Sequence, residues 1–210
     1  MEIEMKVPFK EEDFDRIISK ISSDPRFVNA EFIKKTDKLY AVGTPEPTGN
    51  TVVRLRTEGM LPRSMTKDII LSNRYYPCIN PKTVFTTKIK TVTDGGYECN
   101  IENETVVQNR KEMHNCLINM GYTEYFYKSK YSIGVIAYLD RHAYHVEVER
   151  VSRDVSSGSK SVLYVEIENT EKDFNSDAVD SIIENEKFIF KELGLNPDLA
   201  DKRPWVEILK

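Results

Sequence analysis

Polar and hydrophobic residues alternate at the start of the chain. Charged residues occupy positions 2, 4 and 6, and hydrophobic residues occupy positions 3, 5 and 7. Successive side chains of a β-strand point to opposite faces, so the alternation predicts a strand over residues 1–7 with one charged face. Segments rich in β-branched and aromatic residues predict further strands at 51–57, 83–93, 97–107, 122–139, 144–152 and 162–169. Residues 27–40 are predicted to form a pair of strands joined near Asp37.

Three other segments space their hydrophobic residues for one face of a helix. They cover residues 11–22, 109–120 and 175–193. Residues 59–81 are predicted to form a loop with one short strand or helix around 67–71. Consecutive strands are joined by predicted hairpin turns at 94–96 and 140–143, and no glycine-rich loop leads from a strand into a helix. These features favour an antiparallel sheet over a parallel α/β sheet.

The charged residues form a second pattern, in which two like charges stand two positions apart on one strand face. The pairs are Glu2 and Glu4, Arg54 and Arg56, Lys88 and Lys90, Glu102 and Glu104, Lys128 and Lys130, Glu147 and Glu149, and Glu166 and Glu168. Like charges stacked on one face repel each other, which destabilises an ordinary sheet. The pattern is reasonable if acidic and basic faces meet around a polyanion and its metal ions. We therefore expect an α+β fold, in which a closed antiparallel β-barrel of about eight strands forms a charged tunnel and three main helices pack outside it.

Composition sets broader limits. The 210 residues are 40% hydrophobic and 30% charged, which predicts one globular domain over 1–210. The sequence contains no run of about 18 apolar residues, so it predicts no membrane span. The charged N-terminus is unlike a secretory signal. Cys78, Cys99 and Cys116 lack the spacing of metal ligands and are expected to be reduced thiols of a cytoplasmic protein. His145 is expected either inside the barrel beside Glu147 or on the surface, and the surface position is preferred.

The opening Glu-x-Glu-x-Lys motif at residues 2–6, the ordered series of charge pairs and the closing segment 203–209 resemble the CYTH family of triphosphate tunnel metalloenzymes. That family contains tripolyphosphatases, thiamine triphosphatases and class IV adenylyl cyclases, and it is related to metal-dependent RNA triphosphatases. The resemblance extends over nearly the whole chain. It implies a closed barrel whose interior binds a triphosphate and a divalent metal ion.

The resemblance also implies a role for each charged position. The residues implied to bind the triphosphate are Lys6, Arg54, Arg56, Lys88, Lys128 and Lys130. The residues implied to hold Mg²⁺ or Mn²⁺ are Glu2, Glu4, Glu149, Glu166 and Glu168. The expected catalytic residues are Glu4, Glu168 and Lys6, and the sequence does not decide whether Glu4 or Glu168 orients the attacking water. The expected additional acids of the tunnel are Glu102, Glu104 and Glu147.

The expected function is metal-dependent hydrolysis of a small-molecule triphosphate, in which water attacks the terminal phosphoryl group of tripolyphosphate or of a nucleoside or thiamine triphosphate. Cyclisation of ATP to cyclic AMP and removal of the 5′-terminal phosphate of RNA are the enzymatic alternatives. The net charge of −4 argues against a large RNA-binding surface. A module that binds polyphosphate or a nucleotide without catalysis is the non-enzymatic alternative. Clustered carboxylates further predict an alkaline pH optimum.

Overall fold

The computed structural model describes residues 2–43, 51–62, 66–72, 75–92, 98–153, 160–169 and 178–210. The turn predicted at 94–96 lies outside these residues. The strands are β1 (Glu2–Pro8), β2 (Phe27–Val42), β3 (Thr51–Met60), β4 (Ile79–Val92), β5 (Glu98–Val107), β6 (Tyr122–Leu139), β7 (His142–Ser152) and β8 (Ser161–Asn169). The helices are α1 (Phe14–Ser23), α2 (Thr66–Leu71), α3 (Arg110–Asn119), α4 (Val179–Glu192) and α5 (Trp205–Ile208), with short 3-10 turns at Glu11–Asp13 and Pro197–Leu199.

The eight strands form one antiparallel sheet that closes on itself in the order β1-β5-β4-β3-β2-β6-β7-β8. Closure is made between the first and last strands, where Glu4 is opposite Glu168 and Lys6 is opposite Glu166. A closed sheet leaves no unpaired edge, which removes the usual route to edge-to-edge association. The predicted fold class, a closed antiparallel barrel with helices outside it, is confirmed.

The hydrophobic face of β1 points outward and is covered by helices. Ile3, Met5 and Val7 are at most 3% exposed and belong to one core cluster with Ile17 of α1 and Ile182 of α4. Burial of such side chains stabilises the fold by roughly 1.5–3 kcal/mol each. Because the outer face carries the core, the alternate positions of the strand, which are charged, are left to face the interior of the barrel.

The prediction of two strands over residues 27–40 is wrong. β2 is one strand that pairs continuously through Asp37 with both β3 and β6. Its register with β6 shifts at two other places, one between Val28 and Glu31, near Asn29, whose φ is +57°, and one between Leu39 and Tyr40. Aspartate favours turns when its neighbours in sequence are considered alone. Inside this barrel its charge is neutralised by basic neighbours, so the strand continues.

The helix predicted at 109–120 is present as α3, but its buried face is narrower than its hydrophobic spacing indicates. Leu117 is buried, whereas Cys116 is exposed and Met120 is 62% exposed. Gly121 follows the helix with a φ of +88°, which suits a left-handed helix end. Among the described residues, no helix is long and apolar enough to cross a membrane.

Candidate functional site

Charged side chains from all eight strands meet in one cavity inside the barrel, which we term the tunnel cavity. Its volume is about 170 Å³. It is lined by Glu2, Glu4, Lys35, Asp37, Leu39, Val52, Arg54, Arg56, Lys88, Lys90, Glu102, Glu104, Tyr125, Lys128, Lys130, Glu147, Glu166, Glu168, Pro204, Trp205 and Val206. The sequence-predicted site residues are therefore gathered in one place rather than scattered over the surface. Two of them, Lys6 and Glu149, are buried beside the cavity and do not form its wall.

One side of the tunnel cavity is organised around a buried aspartate. Asp37, which is 0% exposed, accepts hydrogen bonds from Arg56 Nε at 2.7 Å and Arg56 Nη2 at 3.1 Å, and Lys128 Nζ lies 3.5 Å away. Burial alone would raise the pKa of Asp37, but Arg56 and Lys128 hold it well below its usual value. The aspartate is therefore ionised, and it orients both cations by a bidentate and a single contact.

A second network of ion pairs links β1, β3, β4 and β5. Lys88 Nζ lies 3.1 Å from Glu4 and 2.9 Å from Glu102. Arg54 Nη2 donates to Glu104 at 3.0 Å and lies 3.4 Å from Glu102. Burial would raise the pKa of Glu4, but Lys88 and Lys6 keep it well below the usual value. In this network every cation is held by a carboxylate that a phosphate could replace.

A cluster of three carboxylates can accommodate a metal ion. Glu147, Glu149 and Glu166 are all buried, and each offers an oxygen within 4.8 Å of the others. Neither oxygen of Glu149 makes a hydrogen bond of good geometry, although Lys130 Nζ lies 3.0 Å from it and also pairs with Glu166. Oxygen donors of this kind fit Mg²⁺ or Mn²⁺. Of the predicted metal ligands, the cluster contains Glu149 and Glu166, and it adds Glu147.

Two carboxyls that line the tunnel cavity have pKa values raised to near neutral pH or above. Burial, together with the negative charges of Glu168 and Glu102, raises the pKa of Glu2 to about 8. Burial, together with Glu147 and Glu4, raises the pKa of Glu168 to about 7 against the opposing effect of Lys35. Acids kept close together in a low dielectric cannot all ionise without a cation. A bound divalent ion would supply the missing positive charge.

One lysine of the site has a pKa that is lowered rather than raised. Burial and the neighbouring Lys130 lower the pKa of Lys128 to about 7, even though Asp37 acts in the other direction. Lys130 itself is buried, but Glu149 and Glu166 hold its pKa well above the usual value. The two lysines on one strand face therefore differ, because Lys130 lies among carboxylates and Lys128 shares a single carboxylate with Arg56.

Sequence reasoning missed several residues that line the site, of which Lys35, Asp37 and Trp205 matter most, and it preferred a surface position for His145. Lys35 pairs with Glu147, Asp37 pairs with Arg56, and Trp205 lines the tunnel cavity. A signal for the first two was available, because Lys35 and Asp37 stand two positions apart like the other charged pairs, although their charges differ in sign. His145 lies 3.9 Å from Glu147 and 4.0 Å from Glu168, with its side chain 23% exposed, so it stands beside the tunnel acids rather than on the open surface.

No protein-family description matches the sequence, and no curated protein matches it either. Solved structures do match the fold. A protein of Pyrococcus horikoshii is 16% identical with a TM-score of 0.69, over 100% of this chain and 98% of that chain. A candidate adenylate cyclase of Vibrio parahaemolyticus is 14% identical with a TM-score of 0.62, over 99% of this chain and 97% of its own.

A third structure is an adenylyl cyclase candidate from Hippeastrum that is described as having a dominant triphosphatase activity. It is 12% identical to this chain with a TM-score of 0.53, over 93% of this chain and 89% of its own. Identities this low establish the fold alone. The similarities confirm the fold that the resemblance to the triphosphate tunnel metalloenzymes implied.

Proposed function

We propose that this chain, which has the fold expected of a triphosphate tunnel metalloenzyme, is a divalent-metal-dependent hydrolase of a small-molecule triphosphate. The observation that carries the proposal is the composition of the tunnel cavity. Arginine and lysine side chains from β2, β3, β4 and β6 face carboxylates from β1, β5, β7 and β8 across one enclosed space. A triphosphate presents several negative charges in a row, and a divalent ion presents the positive charge that the carboxylates lack.

The basic residues would grip the phosphoryl groups by exchanging carboxylate partners for phosphate. Arg54 and Arg56 suit two-point contacts, whereas Lys88 and Lys128 act as point charges. In the absence of substrate, Arg56 is held by Asp37, and Lys88 is held by Glu4 and Glu102. The positions of these cations are therefore fixed before substrate arrives, which lowers the entropy lost on binding. Preorganised cations are also the main means of stabilising a phosphoryl-transfer transition state.

The metal ion would be held by Glu147, Glu149 and Glu166, whose buried oxygens already stand close together. Bound there, Mg²⁺ or Mn²⁺ would neutralise charge on the phosphoryl oxygens. Lys130 would turn from Glu149 and Glu166 toward the phosphate chain. This exchange keeps the carboxylates paired with a cation throughout.

Glu168 is the better placed of the two candidate bases. Its side chain is 37% exposed, so it contacts solvent water, whereas Glu4 is 11% exposed and bound to Lys88. Burial and neighbouring acids raise the pKa of Glu168 to about 7, which is in the range of an efficient general base at neutral to alkaline pH. A Glu168 carboxylate oxygen would accept the proton of the attacking water. Glu4 would keep Lys88 in position.

The proposal is tested by measuring phosphate release from tripolyphosphate, ATP, thiamine triphosphate and triphosphate-ended RNA with Mg²⁺ or Mn²⁺. We expect release that stops in excess chelator and returns when metal is restored. Chromatography of the ATP reaction distinguishes ADP, the hydrolase product, from cyclic AMP, the cyclase product. Metal-independent turnover would contradict the proposed mechanism. Tight binding of every substrate without turnover would identify a non-catalytic module instead.

A further inference from the structure

One end of the barrel interior is hydrophobic rather than charged. Leu39, Phe126, Val151 and Tyr164 each stand two positions along the strand from a charged residue that lines the tunnel cavity or, for Val151, belongs to the carboxylate cluster beside it. β2 and β7 run antiparallel to β6 and β8, so these four positions lie at the same end of the barrel. All four are at most 9% exposed and form one cluster with Trp205 and the residues that follow it.

The chain's single tryptophan stands where this hydrophobic end meets the charged interior. Trp205 is 8% exposed, packs edge-on against Tyr164 and also lines the tunnel cavity. Three lysine ammonium groups surround its ring, with Nζ of Lys6 at 5.7 Å from the centroid, of Lys128 at 5.2 Å and of Lys130 at 5.0 Å. A ring attracts cations within about 6 Å of its centroid, and the attraction strengthens when water is excluded.

The segment that carries Trp205 is fastened to the barrel from both sides. Before it, the Asp201 amide donates to the Lys6 carbonyl at 2.8 Å, and the Tyr164 hydroxyl donates to the Asp201 carboxylate at 2.8 Å. After it, Lys160 Nζ donates to the Ile208 carbonyl at 3.0 Å, and Ile208 is 3% exposed. The Trp205 ring is therefore held at a fixed position inside the barrel. Glu104 and Glu168, whose side chains are 47% and 37% exposed, lie on the end parts of β5 and β8 that point away from the ring.

We propose that Trp205 is a positioning residue that closes one end of the tunnel cavity and holds the three lysine ammonium groups there, so that the site takes the end of a phosphate chain and excludes the middle of a long one. The inference rests on the proposed function, because it specifies which phosphate chains that site accepts. A chain enters from the Glu104 and Glu168 end and stops where Lys6, Lys128 and Lys130 meet the ring. A long polyphosphate can then present only its terminus.

The first test is tryptophan fluorescence of the wild-type chain, which reports on Trp205 alone and needs no turnover. Tripolyphosphate without metal should draw the ammonium groups off the ring and change the emission in a saturable way. Sulfate at equal ionic strength should not do so. An emission spectrum that tripolyphosphate leaves unchanged would overturn the proposal, whether or not the chain hydrolyses anything. Failure of the proposed function is recognised separately, as a saturable change without phosphate release.

The second test compares chain lengths and variants. Wild-type protein should release single phosphates from long-chain polyphosphate without shortening it by internal cuts. Trp205→Ala should lower kcat/KM for tripolyphosphate at least tenfold, mostly through KM, and should permit internal cuts. Trp205→Phe, which keeps an aromatic ring, should stay within about threefold of wild type.

Leu199→Ala, at a position that is 61% exposed, is the matched control for a change in this part of the chain. Internal cuts by the wild type would overturn the proposal. So would a folded Trp205→Ala variant with wild-type kcat/KM and products. If Trp205→Ala does not fold, the comparison of Trp205→Phe with wild type and the fluorescence titration decide the question.

Discussion

Asp37 and Arg56 face each other across β2 and β3, joined by two hydrogen bonds of 2.7 and 3.1 Å in the wall of the tunnel cavity. The aspartate is fully buried, and the Arg56 side chain is 13% exposed. A buried ion pair is weak evidence for stability in itself, but removing one partner leaves an uncompensated buried charge. The pair therefore keeps Arg56, which is proposed to bind substrate, in a fixed position inside the barrel.

The first prediction concerns that pair. Asp37→Asn should lower the free energy of unfolding by about 3 kcal/mol, because Arg56 and Lys128 would remain buried with reduced compensation. The same variant should bind tripolyphosphate more tightly than wild type, since Arg56 no longer has to leave a carboxylate. Urea unfolding with and without tripolyphosphate measures both effects.

Asp15→Asn is the matched control for this substitution. Asp15 also pairs with a lysine, Lys67, but the two side chains are 72% and 56% exposed. An exposed pair contributes about 0–1 kcal/mol, so the control should change stability by less than that. Equal destabilisation by the two variants would contradict the role assigned to Asp37.

The first strand shows why much of the fold could be predicted. Alternation over residues 2–7 fixes which side chains share a face, and the core cannot accept Glu2, Glu4 and Lys6 without partners. The charges therefore had to point away from the helices. Repetition of like-charged pairs then indicated that the charged faces meet, and the closed sheet agrees with that prediction.

Asp37 and Trp205 show which features of the site a local sequence pattern cannot predict. The preference of aspartate for turns is a local property, whereas its place in a strand depends on Arg56 and Lys128, which are distant in sequence. Trp205 was recognised only as part of a closing motif. Its position inside one end of the barrel depends on packing against Tyr164, which belongs to another element. Contacts between segments that are distant in sequence determine the positions of both residues, and no short window of sequence contains both partners of such a contact.

The second prediction separates binding from chemistry. Glu4→Gln should lower kcat at least a hundredfold, because the amide no longer fixes Lys88 in the position from which it would stabilise the transition state, and it should not raise KM, because Lys88 no longer has to leave a carboxylate. Arg54→Lys should raise KM about tenfold and leave kcat within threefold, since lysine keeps the charge and loses the two-point contact. Steady-state kinetics with tripolyphosphate measure both. Glu12→Gln, whose side chain is 75% exposed, is the control. A normal kcat for Glu4→Gln would refute its proposed part in the reaction.

The third prediction concerns metal binding. Burial and neighbouring acids raise the pKa of Glu2 to about 8 and that of Glu168 to about 7, so both carboxyls are largely protonated at pH 6. A divalent ion bound by Glu147, Glu149 and Glu166 would favour the ionised form of both carboxyls in the same cavity, so Mn²⁺ should bind at least tenfold more tightly at pH 8.5 than at pH 6 and should release protons near pH 7. Calorimetry in buffers of different ionisation enthalpy measures the affinity and the proton release. An affinity that does not vary with pH would contradict the loss of protons from these two carboxyls when the metal binds.

The fourth prediction concerns stability without metal. The pKa of Glu168 is higher in the folded chain than its ordinary value of 4.5, so the folded state binds more protons than the unfolded state between about pH 4.5 and 7. Stability from this group is therefore greatest at low pH and is lost as the pH rises through about 7.

Glu168→Gln should remove that loss. The variant should match wild type near pH 5 and exceed it above pH 8 by about 1 kcal/mol, a modest figure because solvent reaches the 37% exposed side chain. Urea unfolding at the two pH values measures the difference. Glu184→Gln, which removes an exposed acid paired with Lys187, is the control and should show no such divergence. A variant less stable than wild type at pH 8.5 would contradict the assigned shift.

The fifth prediction concerns binding of tripolyphosphate in the absence of metal. Burial and Lys130 lower the pKa of Lys128 to about 7, so the free protein loses this positive charge as the pH rises through that value. A bound phosphate would restore the charge, which means that binding above pH 7 must take up a proton. Each pH unit above the shifted pKa then weakens binding by up to about tenfold.

Lys128→Arg isolates this effect, because a guanidinium stays protonated throughout the range. The variant and wild type should bind with similar affinity at pH 6, and the variant should bind on the order of tenfold more tightly at pH 8.5. Calorimetry in two buffers should show proton uptake by wild type at pH 8 and less uptake by the variant. Because tripolyphosphate itself titrates in this range, the difference between the two proteins is the quantity to compare. Parallel pH profiles for wild type and Lys128→Arg would show that Lys128 keeps its proton in the free protein.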